Sequence, residues 1–150
     1  MKISTKGRYA LEALLYMAHS VKNEPVAIRV VAENTGISEK YLEQLFFLLR
    51  KTRIIDTLRG PKGGYFIARD LEEVTAGEIV RAVEGDLVPV PCVADPEQCA
   101  SSMQGFCVTR TLWQKVSDAV IAVLDSATLA SLVEEYRKLL QGSTDIGYYI

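Results

Sequence analysis

Between residues 28 and 67, two short amphipathic stretches are divided by Thr35-Gly36-Ile37, and two β-rich runs follow them. Few folds accept that order. Apolar spacing predicts a helix over 28–34, a tight turn, and a third helix that starts at Ser38 and runs through YLEQLFFLLRKT. Leu42, Leu45, Leu48 and Leu49 form its apolar stripe. Ala32 is small where two helices must cross closely, and Gly36 suits the left-handed conformation of a turn. Ile37, Leu42 and Leu45 close the interior of the pair. In IIDTLRGPKGGYFIARD, Gly60, Pro61, Gly63 and Gly64 separate the two runs, which predicts a hairpin with a longer, glycine-bearing loop. Helix, glycine turn, helix and hairpin make a winged helix-turn-helix.

The flanking sequence predicts helices on both sides. Tyr9, Ala10, Ala13, Leu14, Met17 and Ala18 have helical spacing within residues 6–22, before Asn23-Glu24-Pro25. Thr75 and Glu78 have capping-box spacing at the head of a short helix that stops at Gly85. Residues 88–107, with Pro89, Pro91 and Pro96, read as loop. A long helix over 108–125 carries Leu112, Val116, Val120, Val123 and Leu124 in one seam. A last helix, capped by Ser126 or Thr128, runs through Leu140 to Gly142. The expected fold is mainly α with a small β-hairpin wing. Residues 1–85 form the winged helix-turn-helix DNA-binding domain, 86–107 a cysteine loop, and 108–150 the dimerisation helix and C-terminal helix. The chain is 49% apolar, enough for a real core. Its start has neither a membrane-length apolar run nor the order of a signal peptide, so the expectation is a cytoplasmic protein with no membrane partner.

Charge is divided unevenly. Residues 1–70 hold twelve Lys and Arg against seven Asp and Glu, a net of +5, and residues 71–150 hold five against twelve, a net of −7. That asymmetry fits an anionic partner for the basic half, and fits an uneven solvated surface equally well. The third helix and the hairpin beside it bear on the choice. Lys40, Glu43, Gln44 and Phe47 share the face opposite the apolar stripe, with Ser38 and Glu39 at its N-terminal end. Gln can pair with adenine N6 and N7, and Glu can accept from cytosine N4. An ordinary solvated face would look similar, but the adjoining hairpin tip bears Arg59 and Lys62 beside Gly60, a thin basic wing suited to a minor groove or to phosphates. Arg50, Lys51 and Arg53 either add backbone contacts or cap the negative end of the helix. The partner expected is double-stranded DNA.

Cys92, Cys99 and Cys107 are the only cysteines and all lie in PCVADPEQCASSMQGFC. Three is an odd number, so intrachain disulfides cannot use them all. In a reducing compartment clustered thiols bind metal or do redox chemistry, and soft thiolate suits zinc or an iron–sulfur cluster. The Cys-x-x-Cys pairs of structural zinc are missing, and a loop with three unrelated cysteines is an equal alternative at this point. The apolar seam after Val108 is more than one small domain can cover, and a two-fold homodimer would bury it and present two recognition helices to successive half-sites.

The blocks KGRYALEALLYMA, ISEKYLEQLFFLLRK and RGPKGGYFIARD, followed by three cysteines and Leu112-Trp113, resemble the IscR-type winged-helix iron–sulfur regulators over nearly the whole chain. The resemblance implies a homodimeric bacterial repressor or activator whose operator binding depends on a cluster on Cys92, Cys99 and Cys107, and which senses iron status, redox state or nitric oxide. By position it implies base readers at Ser38, Lys40, Glu43 and Gln44, with wing contacts from Arg59 and Gly60. One departure concerns the fourth ligand. The IscR-type 2Fe–2S site has a histidine three residues after the last cysteine, where this chain has Arg110. Three-cysteine relatives hold a 4Fe–4S cluster with an acid from the partner's first helix, at a position that is Arg8 here. Glu12, one turn further, is the candidate from the other chain, and Asp95 and Glu97 are local ones. His19 is expected to cover its own helix, and Phe106 and Trp113 to pack beside Cys107. The alternative function is a metal-free DNA-binding regulator switched by cysteine oxidation or a protein partner. No reactive Cys-x-x-Cys pair and no set of acid–base groups points to an enzyme.

Overall fold

The computed structural model describes residues 3–20, 24–99, 102 and 107–146. Seven helices and one hairpin are found among them: α1 (Thr5–His19), α2 (Ile28–Thr35), α3 (Glu39–Lys51), β1 (Ile55–Leu58), β2 (Gly64–Ile67), α4 (Ala76–Glu84), a one-turn α5 (Pro91–Ala94), α6 (Val108–Ser126) and α7 (Leu129–Ile146). Caps account for most of the boundaries. The Ser38 hydroxyl accepts from the Tyr41 N–H, and Thr75 Oγ1 accepts from the Glu78 N–H. Gly36, at φ 71°, closes α2 in the left-handed conformation expected of it. No helix of the described residues is long and apolar enough to cross a membrane.

The core gathers the inner faces of α1, α3 and α4, with Leu14, Met17, Leu42, Leu45, Leu49 and Ile79 at or near zero exposure. The stripe of α3 differs by one residue from its expected form. Phe46 is wholly buried and Leu48 only partly, so the inward set is Leu42, Leu45, Phe46 and Leu49. The strands pair antiparallel with Ile55 opposite Ile67 and Leu58 opposite Gly64. Val26 adds a short third rung, exchanging backbone hydrogen bonds of 2.9 and 2.8 Å with Tyr65. Behind them α7 returns to the winged-helix core, where Leu129 and Val133 are buried and the Leu129 N–H donates to the Val74 carbonyl at 2.7 Å.

Three expected boundaries are corrected. α1 ends at His19 rather than residue 22, with Ser20 as its cap. The proline-rich segment is not all loop. Pro91 sits at the first position of α5, where its missing N–H costs nothing, and Pro96–Gln98 form a 3₁₀ turn. The last helix runs through Gly142 to Ile146, because that glycine does not take the positive φ that ends a helix. Thr128, not Ser126, supplies its cap, with Oγ1 accepting from the Ser131 N–H at 3.1 Å.

One carboxylate ties α4 to the head of α1. Glu84 Oε1 accepts from the Ser4 N–H at 2.9 Å, the Ser4 hydroxyl at 2.6 Å and the Gly7 N–H at 3.0 Å. Gly7 permits the approach, since a Cβ there would meet Ile3 at 2.9 Å and Glu84 at 3.0 Å. Burial pushes the Glu84 carboxyl up, but the Ser4 and Gly7 hydrogen bonds, with Lys6 nearby, outweigh it and hold the group below its ordinary 4.5. A depressed folded pKa gives stability that is complete above the unfolded value and is lost as pH falls through the folded one. Glu84→Ala is therefore expected to cost about 1–2 kcal/mol at pH 7, comparable to losing a strong helix cap. Urea midpoints at pH 7 and pH 3 check this, because the gap between parent and variant should narrow in acid. An equal gap at both pH values would contradict the assignment.

Candidate nucleic-acid interface and cysteine loop

α3 turns one side inward and leaves the other bare. Lys40, Glu43, Gln44 and Phe47 are exposed, and the first three take no hydrogen bond or ion pair from the described residues. Ser38 accepts through Oγ from Tyr41 N–H at 3.3 Å, which leaves its hydroxyl proton for an outside acceptor. The bare face is held in orientation from behind. Tyr41 meets Tyr9 edge to face at 5.5 Å, and Phe46 lies 4.8 Å from the ring of Tyr65 in β2. One aromatic contact thus ties α3 to the wing.

The wing tip spans Arg59 to Gly63, with Arg59, Gly60, Pro61 and Lys62 exposed. The Gly63 N–H donates to the Gly60 carbonyl at 3.0 Å. A Cβ on Gly63 would lie 2.1 Å from the Leu58 carbonyl oxygen, and one on Gly64 2.4 Å from the Val26 carbonyl. Both glycines are required by backbone approach, and the result is a narrow loop carrying two cations that have no partner among the described residues.

The cysteines occupy three settings along one segment. Cys92 lies in α5, Cys99 follows the 3₁₀ turn, and Cys107 is the residue before α6. All are partly buried and none is in a disulfide. The Thr109 hydroxyl, 3.2 Å from Cys107 Sγ, holds that thiol below its ordinary pKa, with help from the first N–H groups of α6 and the charge of Arg110. Among the described residues no three His, Cys, Asp or Glu side chains come together as a metal site. The donor set itself, three thiols in one segment with one poised toward thiolate, fits soft-metal chemistry.

The other ligand candidates are placed as follows. Asp95 is engaged in capping, accepting from the Glu97 N–H at 3.0 Å and from the Gln98 amide at 3.1 Å, while Glu97 is exposed. Glu12 is exposed on α1 beside a groove of about 230 Å³ shared with Tyr16 and Tyr136. His19 stacks edge to face on Tyr136 at 4.9 Å. Phe106 lies outside the described residues. Sequence reasoning missed the ties that fix α6. Arg110 Nε donates to the Cys92 carbonyl at 2.9 Å, buried Ser117 donates to the Leu87 carbonyl at 2.9 Å, and Asp125 accepts from Arg81 at 2.8 and 3.3 Å. Their only signal was residue type, since each joins positions 18 to 44 apart.

A glycine-turned helix pair, an outward polar face on its second helix and a hairpin wing define a winged-helix protein, a class of regulator that binds DNA. Residues 3–135 match the family described as Rrf2, iron-dependent transcriptional regulator, and the chain belongs to that family. It is 39% identical over 132 residues to the HTH-type transcriptional regulator CymR of Bacillus subtilis, covering 88% of this chain and 89% of CymR. It is 38% identical over 133 residues to IscR of Serratia proteamaculans, covering 89% and 79%. Among solved structures, T. potens IscR matches with a TM-score of 0.72 at 36% identity over 91% of this chain and 88% of that one. The structure of B. subtilis CymR, the global cysteine regulator of that organism, matches with 0.72 at 36% over 90% and 98%. The protein is an Rrf2-family transcriptional regulator of the IscR and CymR kind.

Proposed function

We propose that this regulator is a homodimer whose operator binding is controlled by an iron–sulfur cluster held on Cys92, Cys99 and Cys107. The observation that carries the reading is the setting of those thiols. They share the one segment that Arg110 ties to α6, the helix whose bare apolar seam is the proposed dimer contact. The family's description as iron-dependent supports it. The cluster supplies a centre whose occupancy follows iron supply and redox state. The chain's own residues do the rest. Gln44 and Glu43 read base edges, Ser38 and Lys40 contact the groove from the head of α3, and Arg59, Gly60 and Lys62 hold the wing to the backbone. Glu12 of the partner subunit is the proposed fourth ligand, which would make the loaded loop a link between the two chains.

A second reading is a metal-free switch driven by cysteine oxidation or a partner. It draws on the likeness to CymR, a cysteine regulator, and on the absence among the described residues of a converged ligand set. Anaerobic purification separates the two. The cluster reading expects coloured protein with iron and sulfide in comparable amounts. Cys92→Ala, Cys99→Ala or Cys107→Ala should each remove most of both, because two thiolates are too few soft ligands. DNA preference should shift between loaded and stripped protein. Colourless protein that binds DNA with unchanged preference would leave the thiol or partner switch.

A further inference from the structure

Arg53 is the one residue other than glycine with a positive φ among the described residues, at 56°. It follows Thr52, the cap of α3, at the position where helices commonly place glycine. The Arg53 N–H donates to the Arg50 carbonyl at 3.0 Å and the Ile54 N–H to the Leu49 carbonyl at 3.1 Å, so the chain turns sharply there into β1. A side chain in this conformation is strained, and strain that persists where glycine would relieve it points to a use for the side chain. The Arg53 side chain is exposed and takes no ion pair or hydrogen bond from the described residues.

Its surroundings are those of an anion site. Arg53 lines a basin of about 790 Å³ between the end of α3 and the base of the wing, with Phe47, Arg50, Lys51, Asp56 and Arg69. Two of the four cations already face carboxylates: Arg50 lies 3.6 Å from Asp56, and Arg69 pairs with Glu78 at 2.5 Å. Lys51 and Arg53 have no carboxylate partner among the described residues. The Lys51 ammonium stands 4.4 Å from the centre of the Phe47 ring, an exposed aromatic that holds a cation without neutralising it. Phe47 is three and four positions beyond Gln44 and Glu43 on one face of α3, so the basin continues the reading face.

We propose that Lys51 and Arg53 form a phosphate grip on the DNA backbone beside the groove that α3 reads, with Phe47 propping the lysine. This rests on the DNA-binding reading above and adds contacts outside the predicted base readers and wing tip. A grip on phosphate fixes register without reading sequence, so its loss lowers affinity for all duplexes alike.

The test uses the full chain with two duplexes, one of random sequence and one selected by the parent protein from a random pool, titrated between 50 and 200 mM salt. Arg53→Gly relieves the strain and removes the charge. It is expected to leave Tm unchanged or raise it by about 2–4 °C. It should also weaken both duplexes and reduce the slope of log affinity on log salt by about 0.9 for each protomer bound, or about 1.8 for the dimer, one phosphate contact being lost per chain. Adding Lys51→Gln should remove about as much slope again. Arg53→Gln keeps the strained backbone and loses the charge, so it should show the slope loss without the rise in Tm. If both Arg53 variants keep the parent slope, the grip is overturned while the winged-helix reader stands. If the parent itself binds neither duplex, the DNA-binding reading fails and the grip with it.

Discussion

Replacing Phe46 by alanine is expected to lower folding stability by about 3–5 kcal/mol, the range for emptying a buried aromatic site. Phe46 is wholly buried on α3, and its ring packs 4.8 Å from Tyr65, whose backbone in turn pairs with Val26. Truncation opens a cavity where α3, the wing and the bridge at Val26 converge. Neighbours cannot collapse into it without shifting the hairpin against α3. A domain of this size has about 5–15 kcal/mol in total, so the variant should sit near the edge of folding. Its denaturant midpoint should fall with little change in slope, the sign of lost stability rather than a changed unfolded state. Phe46→Leu, which fills most of the space, should cost much less. A loss under about 1 kcal/mol for the alanine variant would show that the site relaxes freely, contrary to close packing at this junction.

The second large effect is expected at the seam of α6. Val108, Leu112, Val116 and Val123 are 82, 54, 37 and 69% exposed in the single chain. These exposures leave a row of apolar side chains in water, while Ser117 on the same helix is buried against Leu87. In the proposed dimer the row is covered by its copy. Leu112→Glu with Val116→Glu places two charges one turn apart in that contact, where like charges from two chains would meet without partners. Sedimentation should then show a monomer at concentrations where the parent is a dimer. Affinity for DNA with two half-sites should fall by about 10²–10⁴-fold, because the second half-site is no longer held at high local concentration. Thermal stability of the protomer should change little, since both positions are exposed in it. A double variant that remains dimeric would remove this seam as the contact.

What could be read from the sequence divides by the range of the interaction. Ser38, Thr75 and Gly36 act on backbone within a few residues, and all three stand where the local rules put them. The hairpin was equally legible, because only glycine tolerates the approach at Gly63 and Gly64. The stripe of α3 was legible except at Phe46, which lies at the helical spacing of Leu42 but beside three leucines that suggest a seam without it. Ties between distant positions left no periodic trace. Val26 pairing with Tyr65, Arg81 with Asp125, and the burial of Leu129 under the winged helix all depend on how elements stack. In the cysteine segment the spacing of the thiols was plain, whereas the helical turn at Pro91 and the Arg110 tie were not. In the sequence Arg110 only stands in place of a histidine, and its bond to the Cys92 carbonyl assigns it a structural task.

The three ties along α6 have a consequence for angular tolerance on DNA. Arg110 lies near the start of the helix, Ser117 at its middle and Asp125 near its end, and each is bonded to the segment that runs from α4 to Cys92. A helix held at three points turns with the reading half as one body instead of bending away from it. Its 19 residues span about 28 Å at the usual rise. A tilt of about 5° at the seam therefore carries the far end by roughly 2.4 Å, a large part of the 3.4 Å between successive base pairs. In the proposed dimer two such arms, related by a two-fold axis, would double the error in phase between half-sites, so a rotation too small to alter the fold would be enough to take both α3 helices out of step with the groove.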